Sequence, residues 1–435
     1  MDIEIKKVNE EKATEVDAYI QKLEKRIEKM KTNPDPNRPK SNLIRYEMTL
    51  DQAKARRDAI AAGKPFCDGG GPFFISILTG SMGFNGTGFL EANYQTGNAG
   101  EYMRQAGQNG LPVESACDMA VMPLAMTDLG MVPLEDCALC DAHGCTAMML
   151  RTFYSACKNK KDAFTIDTPL DQDYDGIKSV AAQLQDFIDY AEANYDVHYD
   201  EDKLAETLEK QEEFEAILFD AYELLKAKPC PLSGLDVVSM VSTAGMGGAI
   251  EKRIEYAKAL YGELKEKVDK GIGAVPNEKA RIMWTVTRPF YMNPFETLHN
   301  RGISIPMFYS GGPLYHSVPL PWRHFWGDRE LTPLEKIAAR TMSDGWGHYG
   351  KSWVDGILWV CKDLGIDGIV NYNMLGCIAT LGTKKMVADR AEKELGIPTL
   401  QLDARQWDPE YATPDSINEQ LDNFATLVLN QKGAL

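Results

Sequence analysis

The chain has 435 residues, 44% apolar and 26% charged, with a formal net charge of −17. That length exceeds what one hydrophobic core usually serves, so more than one domain is expected. The acidic balance excludes nonspecific binding to nucleic acid or to an anionic membrane surface, both of which need a basic footprint. The first thirty residues are charged throughout and no apolar run reaches about eighteen residues, so neither a signal peptide nor a membrane span is expected. The expectation is a cytoplasmic protein with no membrane partner. Nine cysteines, an odd number, argue against a disulfide framework in that compartment and leave metal ligation, catalysis or burial.

The chain opens with a helical hairpin. Val16, Ile20, Leu23, Ile27 and Met30 recur at alternating steps of four and three, an a/d seam, and Thr14 with Asp17 resembles a capping box at the start. The proline-rich stretch Asn33–Pro39 predicts a turn, and a second helix follows from Ser41 over about 42–62, stopping at Gly63-Lys64-Pro65. From residue 72 the period changes. Phe73–Leu78, Ala138–Cys140 and Ala163–Ile166 read as buried strands with helices between them. Three amphipathic helices are predicted over about 175–194, 201–227 and 235–270.

Alternation then resumes. Strands are expected at 280–287, 303–309, 367–373 and 398–402, and helices at 294–300, 350–364, 382–395 and 414–431. Repeated β-α-β-α predicts a doubly wound parallel sheet, whose ligands bind beyond the carboxyl ends of the strands. The expected fold class is α/β, with two Rossmann-like domains, an N-terminal helical hairpin and a central helical segment. The boundaries fall at 1–64 for the hairpin, 65–174 for the first α/β domain, 175–278 for the helical segment and 279–435 for the second α/β domain.

Three cysteines stand where such crevices form. Cys377 follows the strand at 367–373, Cys145 opens an apolar helix beyond the strand ending at Cys140, and Cys117 sits at a loop-to-helix junction. A thiol at a helix start has a lowered pKa, and thiolate is the form that binds metal. Three thiolates suit an iron-sulfur cubane with one iron left open. No compact motif joins the three, however, and burial as a small hydrophobe is the commonest fate of a free cysteine, so placement alone leaves both readings open. Cys137-x2-Cys140-x4-Cys145, with His143 inside it, offers a weak zinc reading that lacks a clear second pair. Cys361 and Cys157 read as core residues, and Cys67 and Cys230 are undecided. The glycine-rich Gly80–Gly88 has no following Gly-Lys-Ser/Thr and reads as a loop, and His348 is as well explained by structure as by a pocket.

Three segments together are similar to the 2-hydroxyacyl-CoA dehydratase and benzoyl-CoA reductase superfamily. They are Glu114-Ser115-Ala116-Cys117, His143-Gly144-Cys145 leading into a helix that ends Phe153-Tyr154, and Asp367–Asn371 through Gly376-Cys377 to Leu395-Gly396-Ile397-Pro398. Their order and spacing hold from about Gly63 to near the carboxyl end. The resemblance implies a cluster-carrying subunit in which Cys117, Cys145 and Cys377 hold a 4Fe-4S cluster. It implies removal of water from a (R)-2-hydroxyacyl-CoA to give an enoyl-CoA by a ketyl-radical route, as in anaerobic amino-acid fermentation. It also implies a related sister subunit in a heterodimer, an ATP-dependent iron-sulfur activator and an acyl-CoA substrate.

Two alternatives stay open: a benzoyl-CoA reductase-type subunit, and a noncatalytic electron-transfer protein of the same fold, with a double cubane drawing on Cys137 or Cys140. One departure is visible. The family's proline before an acid is missing in Gly97–Tyr102, so Glu101 receives no role.

Overall fold

The computed structural model describes residues 2–64, 66–69, 78–80, 83–85, 99–128, 137–141, 146–158, 160–244, 249–310, 325–343 and 351–434. Helices α1 (Asp2–Thr32) and α2 (Asn42–Ala61) form the expected hairpin. The a/d seam closes it: Val16, Ile20, Leu23 and Ile27 pack with Tyr46, Ala53 and Ile60. The capping box at Thr14 is not a helix start, because helix-favouring Glu, Lys and Ala upstream let α1 run unbroken from Asp2. Asp17 instead meets Arg57 of α2 at 3.3 Å.

The hairpin is pinned at its turn. Lys40 and Ser41 donate backbone N–H groups to Glu263 at 2.7 and 2.8 Å, while Arg38 Nε and Asn42 Nδ2 donate to the buried carboxylate of Asp236 at 2.6 and 3.0 Å.

Two four-stranded sheets follow, and all strand pairs within each are parallel. The first has the order β3-β1-β4-β5, built from β1 (Phe66–Gly69), β3 (Gly83–Asn85), β4 (Cys137–Asp141) and β5 (Asp162–Ile166). The second has the order β10-β9-β7-β8, from β7 (Ala280–Thr285), β8 (Ile303–Tyr309), β9 (Gly368–Met374) and β10 (Thr399–Ala404). Every residue of β7, β8 and β9 is buried, as expected of strands with helices on both faces.

A short antiparallel pair, β2 (Leu78–Gly80) with β6 (Val197–Tyr199), lies outside both sheets. Of the strand predicted at Phe73–Leu78, only Leu78 falls within the described residues, and it opens β2 and not a parallel strand.

Two further differences have simple causes. The helix expected over 235–270 is two, Gly234–Ala244 and Ile250–Asp269, with the intervening Gly245-Met246-Gly247-Gly248 outside the described residues. Three glycines in four positions disfavour a continuous helix by about 1 kcal/mol each. A helix at Pro333–Ser343 was not expected; it packs against Tyr174–Asn194, and Met342 presses so closely on Gly176 that a Cβ there would lie 2.5 Å from its methyl carbon.

Candidate functional site

The carboxyl ends of β9 and β10 carry the site. Beyond Met374 the chain turns through Leu375 and Gly376, held by Leu375 N–H on the Ala404 carbonyl and Cys377 N–H on the Met374 carbonyl, at 3.2 and 3.0 Å. Cys377 then caps the helix Ile378–Arg390 from an extended backbone (φ −90°) and is buried.

Gly376 is required twice. Its φ is +76°, and a Cβ built there would fall 2.4 Å from the Ala116 carbonyl carbon and 2.7 Å from the Cys117 nitrogen. The turn bearing Cys377 is therefore in backbone contact with the turn bearing Cys117, although 260 positions separate them in sequence.

Cys117 has the matching local geometry. Its carbonyl accepts the N–H groups of Ala120 and Val121 at 3.0 Å each, so it caps the helix Asp118–Asp128. Its Sγ lies 3.7 Å from Met374 Sδ. Two cysteines, each at a helix start where backbone N–H groups and the helix dipole favour negative charge, thus sit on turns that touch through their backbones. Cys145, the third predicted ligand, and His143 lie outside the described residues. The described chain resumes at Thr146 with the helix Thr146–Cys157, which packs against the Asp118 helix.

Asp118 locks this junction, and nothing in the sequence alone marked it. Wholly buried, it accepts Arg405 Nη1 at 2.7 Å, Gln406 N–H at 2.7 Å and Trp407 N–H at 3.4 Å, while Arg405 Nη2 donates to the Glu114 carbonyl at 3.2 Å. Burial pushes the Asp118 pKa up, and Arg405 with the two backbone amides opposes that. The helix that Cys117 caps is thereby tied to the segment directly beyond β10.

Side-chain hydrogen bonds tie β9 to β7 on one side and to β10 on the other beneath the site. Thr285 Oγ1 donates to Asn371 Oδ1 at 2.8 Å, and Asn373 Nδ2 donates to Asp403 Oδ1 at 2.7 Å and Gln401 Oε1 at 3.0 Å.

The other cysteines separate from this site. Cys361 is buried on the helix Lys351–Leu364, and burial pushes its thiol pKa well up, as expected of a core residue. Cys230 is buried too, with Sγ donating to the Leu232 carbonyl and its pKa pushed up to about 12 by burial. Cys157 is exposed at the last position of its helix, which corrects the expectation of a core residue. Cys137 begins β4 among Leu139, Ile166 and Ile177. Among the described residues no three His, Cys, Asp or Glu side chains are arranged to hold a metal ion. Glu101 is exposed in the first turn of the helix Ala99–Gln108, and Gly345–Tyr349, with His348, lies outside the described residues. No described helix is long and apolar enough to cross a membrane.

Comparison with known proteins converges on this region. Residues 99–425 match the family model described as 2-hydroxyglutaryl-CoA dehydratase, D-component. The chain is 22% identical over 333 residues to the (R)-phenyllactyl-CoA dehydratase alpha subunit of Clostridium sporogenes, covering 73% of this chain and 78% of that one. It is 24% identical over 293 residues to the (R)-2-hydroxyglutaryl-CoA dehydratase subunit alpha of Acidaminococcus fermentans, covering 64% of this chain and 57% of that relative, so it spans little more than half the second protein's length. The matched segment takes in both cysteine turns, the Asp118–Arg405 pair and the whole second sheet, and the chain belongs to the 2-hydroxyglutaryl-CoA dehydratase D-component family.

Proposed function

We propose that the chain is the iron-sulfur subunit of a 2-hydroxyacyl-CoA dehydratase, holding a 4Fe-4S cluster through Cys117, Cys145 and Cys377 and converting a (R)-2-hydroxyacyl-CoA to an enoyl-CoA. The observation that carries this reading is the backbone contact between the Cys117 and Cys377 turns at Gly376. The donor set fits the group: two buried thiols cap helices at the carboxyl end of a parallel sheet, and Cys145 directly precedes a helix packed against one of them. When bound, the cluster would supply one-electron, ketyl-radical chemistry, which the substrate needs because its β-proton is far too weakly acidic for a side-chain base working near neutral pH.

The chain's own residues would hold and shield. Asp118 and Arg405 fix the helix start that presents the Cys117 thiolate, Gly376 sets the spacing to Cys377, and Met374 fills the space beside Cys117 Sγ and keeps water from it. Residues 65–174 and 279–435 would serve as two α/β domains that supply ligands from both sides, flanked by the hairpin at 1–64 and the helical segment at 175–278.

The same reading expects a related sister subunit, since both relatives are named as alpha subunits, and an ATP-dependent iron-sulfur activator. Mixing tests it. The chain alone should not dehydrate any 2-hydroxyacyl-CoA, and activity should appear when the sister subunit and a reduced activator are added. Turnover by the isolated, chemically reduced chain would refute the two-subunit requirement. More than four irons per chain, with no effect of acyl-CoA on the cluster's paramagnetic signal, would favour an electron carrier over an enzyme.

A further inference from the structure

Strand β9 has two chemically different faces where it reaches the site. Asn371 and Asn373 alternate with Tyr372 and Met374, so the amides lie on one face of the sheet and the phenol and thioether on the other. The amide donors are engaged on their own face. Asn371 Nδ2 donates to Gln401 Oε1 at 3.0 Å, and Asn373 Nδ2 donates to Gln401 and Asp403 at 3.0 and 2.7 Å. On the opposite face Tyr372 stacks along Trp284 with ring centroids 6.1 Å apart, and Phe295 meets Trp284 edge-on at 5.2 Å.

Met374 ends that apolar face and reaches both cysteine turns. Its Sδ accepts the Cys117 thiol at 3.7 Å, and its carbonyl accepts the Cys377 N–H at 3.0 Å. Pairing with Ala404 of β10 fixes its height on the sheet. Met374 is 2% exposed and Cys117 3%, and both belong with Cys377, Tyr372 and Trp284 to one apolar core.

A thioether has lone pairs and no hydrogen to give. It accepts from a thiol, but it offers nothing to a thiolate that has lost its proton to bind iron. Hydrogen bonds to the sulfurs and exposure to solvent help to set the potential of an iron-sulfur cluster, since each favours the more negative, reduced state.

We propose that Met374 is a positioning residue that acts through Cys117: it withholds both a hydrogen-bond donor and water from the Cys117 sulfur and so keeps the bound cluster strongly reducing. This rests on the dehydratase reading and deepens it. An electron passed to a thioester carbonyl needs a donor of low potential, and the alternation of β9 turns its amides away from the sulfur.

The test is a reductive titration of the anaerobically purified chain with titanium(III) citrate, with reduced cluster counted by electron paramagnetic resonance and iron measured alongside. Each cluster takes one electron from one titanium(III), and no bond is made or broken. Met374→Gln, nearly equal in length, brings an N–H to the position of Sδ. It should raise the ratio of reduced to oxidised cluster at a set potential at least tenfold, which for one electron is about 59 mV. Met374→Ala opens room for water, so it should shift the potential in the same direction and add exchangeable deuteron couplings to the cluster signal in D2O. Met374→Leu, with neither donor nor room, should match the wild type in both readouts.

Wild-type potentials in the Gln and Ala variants, with iron retained, would overturn the role of Met374 while the dehydratase reading stood. A shift in Met374→Leu as large as in Met374→Gln would overturn it too, as would loss of iron from all three variants, which would assign Met374 to building the site. If Met374→Gln alone loses its iron, a shift in Met374→Ala and none in Met374→Leu keeps the role. A wild-type chain without iron and sulfide would end the dehydratase reading and this role together.

Discussion

Single residues decide how the junction holds. Asp118 and Arg405 are both buried, so removing one partner strands the other charge, at a cost of about 3–5 kcal/mol. Asp118→Ala should therefore lower stability to urea by roughly that amount, whereas replacing Glu410 in its exposed pair with Arg104 should change it by less than about 1 kcal/mol. A second residue sets an acid limit. His299 is largely buried, accepts the Gly234 N–H on Nε2 at 3.4 Å and must be neutral to do so. Burial draws its pKa from 6.5 to about 4, against the opposing pull of Asp236. The unfolded chain takes up this proton first as pH falls. The contribution of neutral His299 is thus complete above pH 6.5 and declines between 6.5 and about 4, on the order of 3 kcal/mol in all. Urea titrations across that window should show the decline, and His299→Gln should flatten it; an identical slope in the variant would dismiss His299 as its source.

At the scale of elements, Arg281 joins pieces that the sheet alone would not. From the start of β7 it donates to the carbonyls of Leu225, Ala227 and Leu364, which end two helices, and to Glu278 at 2.8 Å. A cation that caps two helix ends is favoured by both dipoles. Arg281→Met should cost about 3–5 kcal/mol in chemical denaturation, since it also leaves Glu278 buried without its partner.

The elements also mark where sequence patterns reach their limit. The apolar runs of β8 and β9 and the stripe Leu204-Leu208-Leu218 were legible because burial on both faces, or on one helix face, leaves a period. Strands β1, β3 and β6, of four, three and three residues, are too short to show one. The helix at Pro333–Ser343 did carry a signal. Thr332 and Glu335 form a reciprocal capping box, with Thr332 N–H on Glu335 Oε2 at 2.9 Å and Glu335 N–H on Thr332 Oγ1 at 3.2 Å, and Pro333 opens the first turn.

For the whole molecule, the chief result is that distant segments meet at one sheet edge. The placement of Cys117 and Cys377 was legible, because each follows a strand or loop and opens a helix. The Asp118–Arg405 pair was not, because a contact across 287 positions leaves no mark in a single sequence. Gly376 is the point where the two turns touch, so Gly376→Ala should separate them: the folded chain should keep its helical circular dichroism and lose most of its iron. The account is tested most directly by iron and acid-labile sulfide in anaerobically purified wild-type chain and in Cys117→Ala, Cys145→Ala, Cys377→Ala and Cys361→Ala. The wild type and the Cys361 variant should each contain about four irons and as many sulfides per chain, with the other three depleted; wild-type content in the Cys117 or Cys377 variant, or a wild-type chain holding zinc without sulfide, would contradict it.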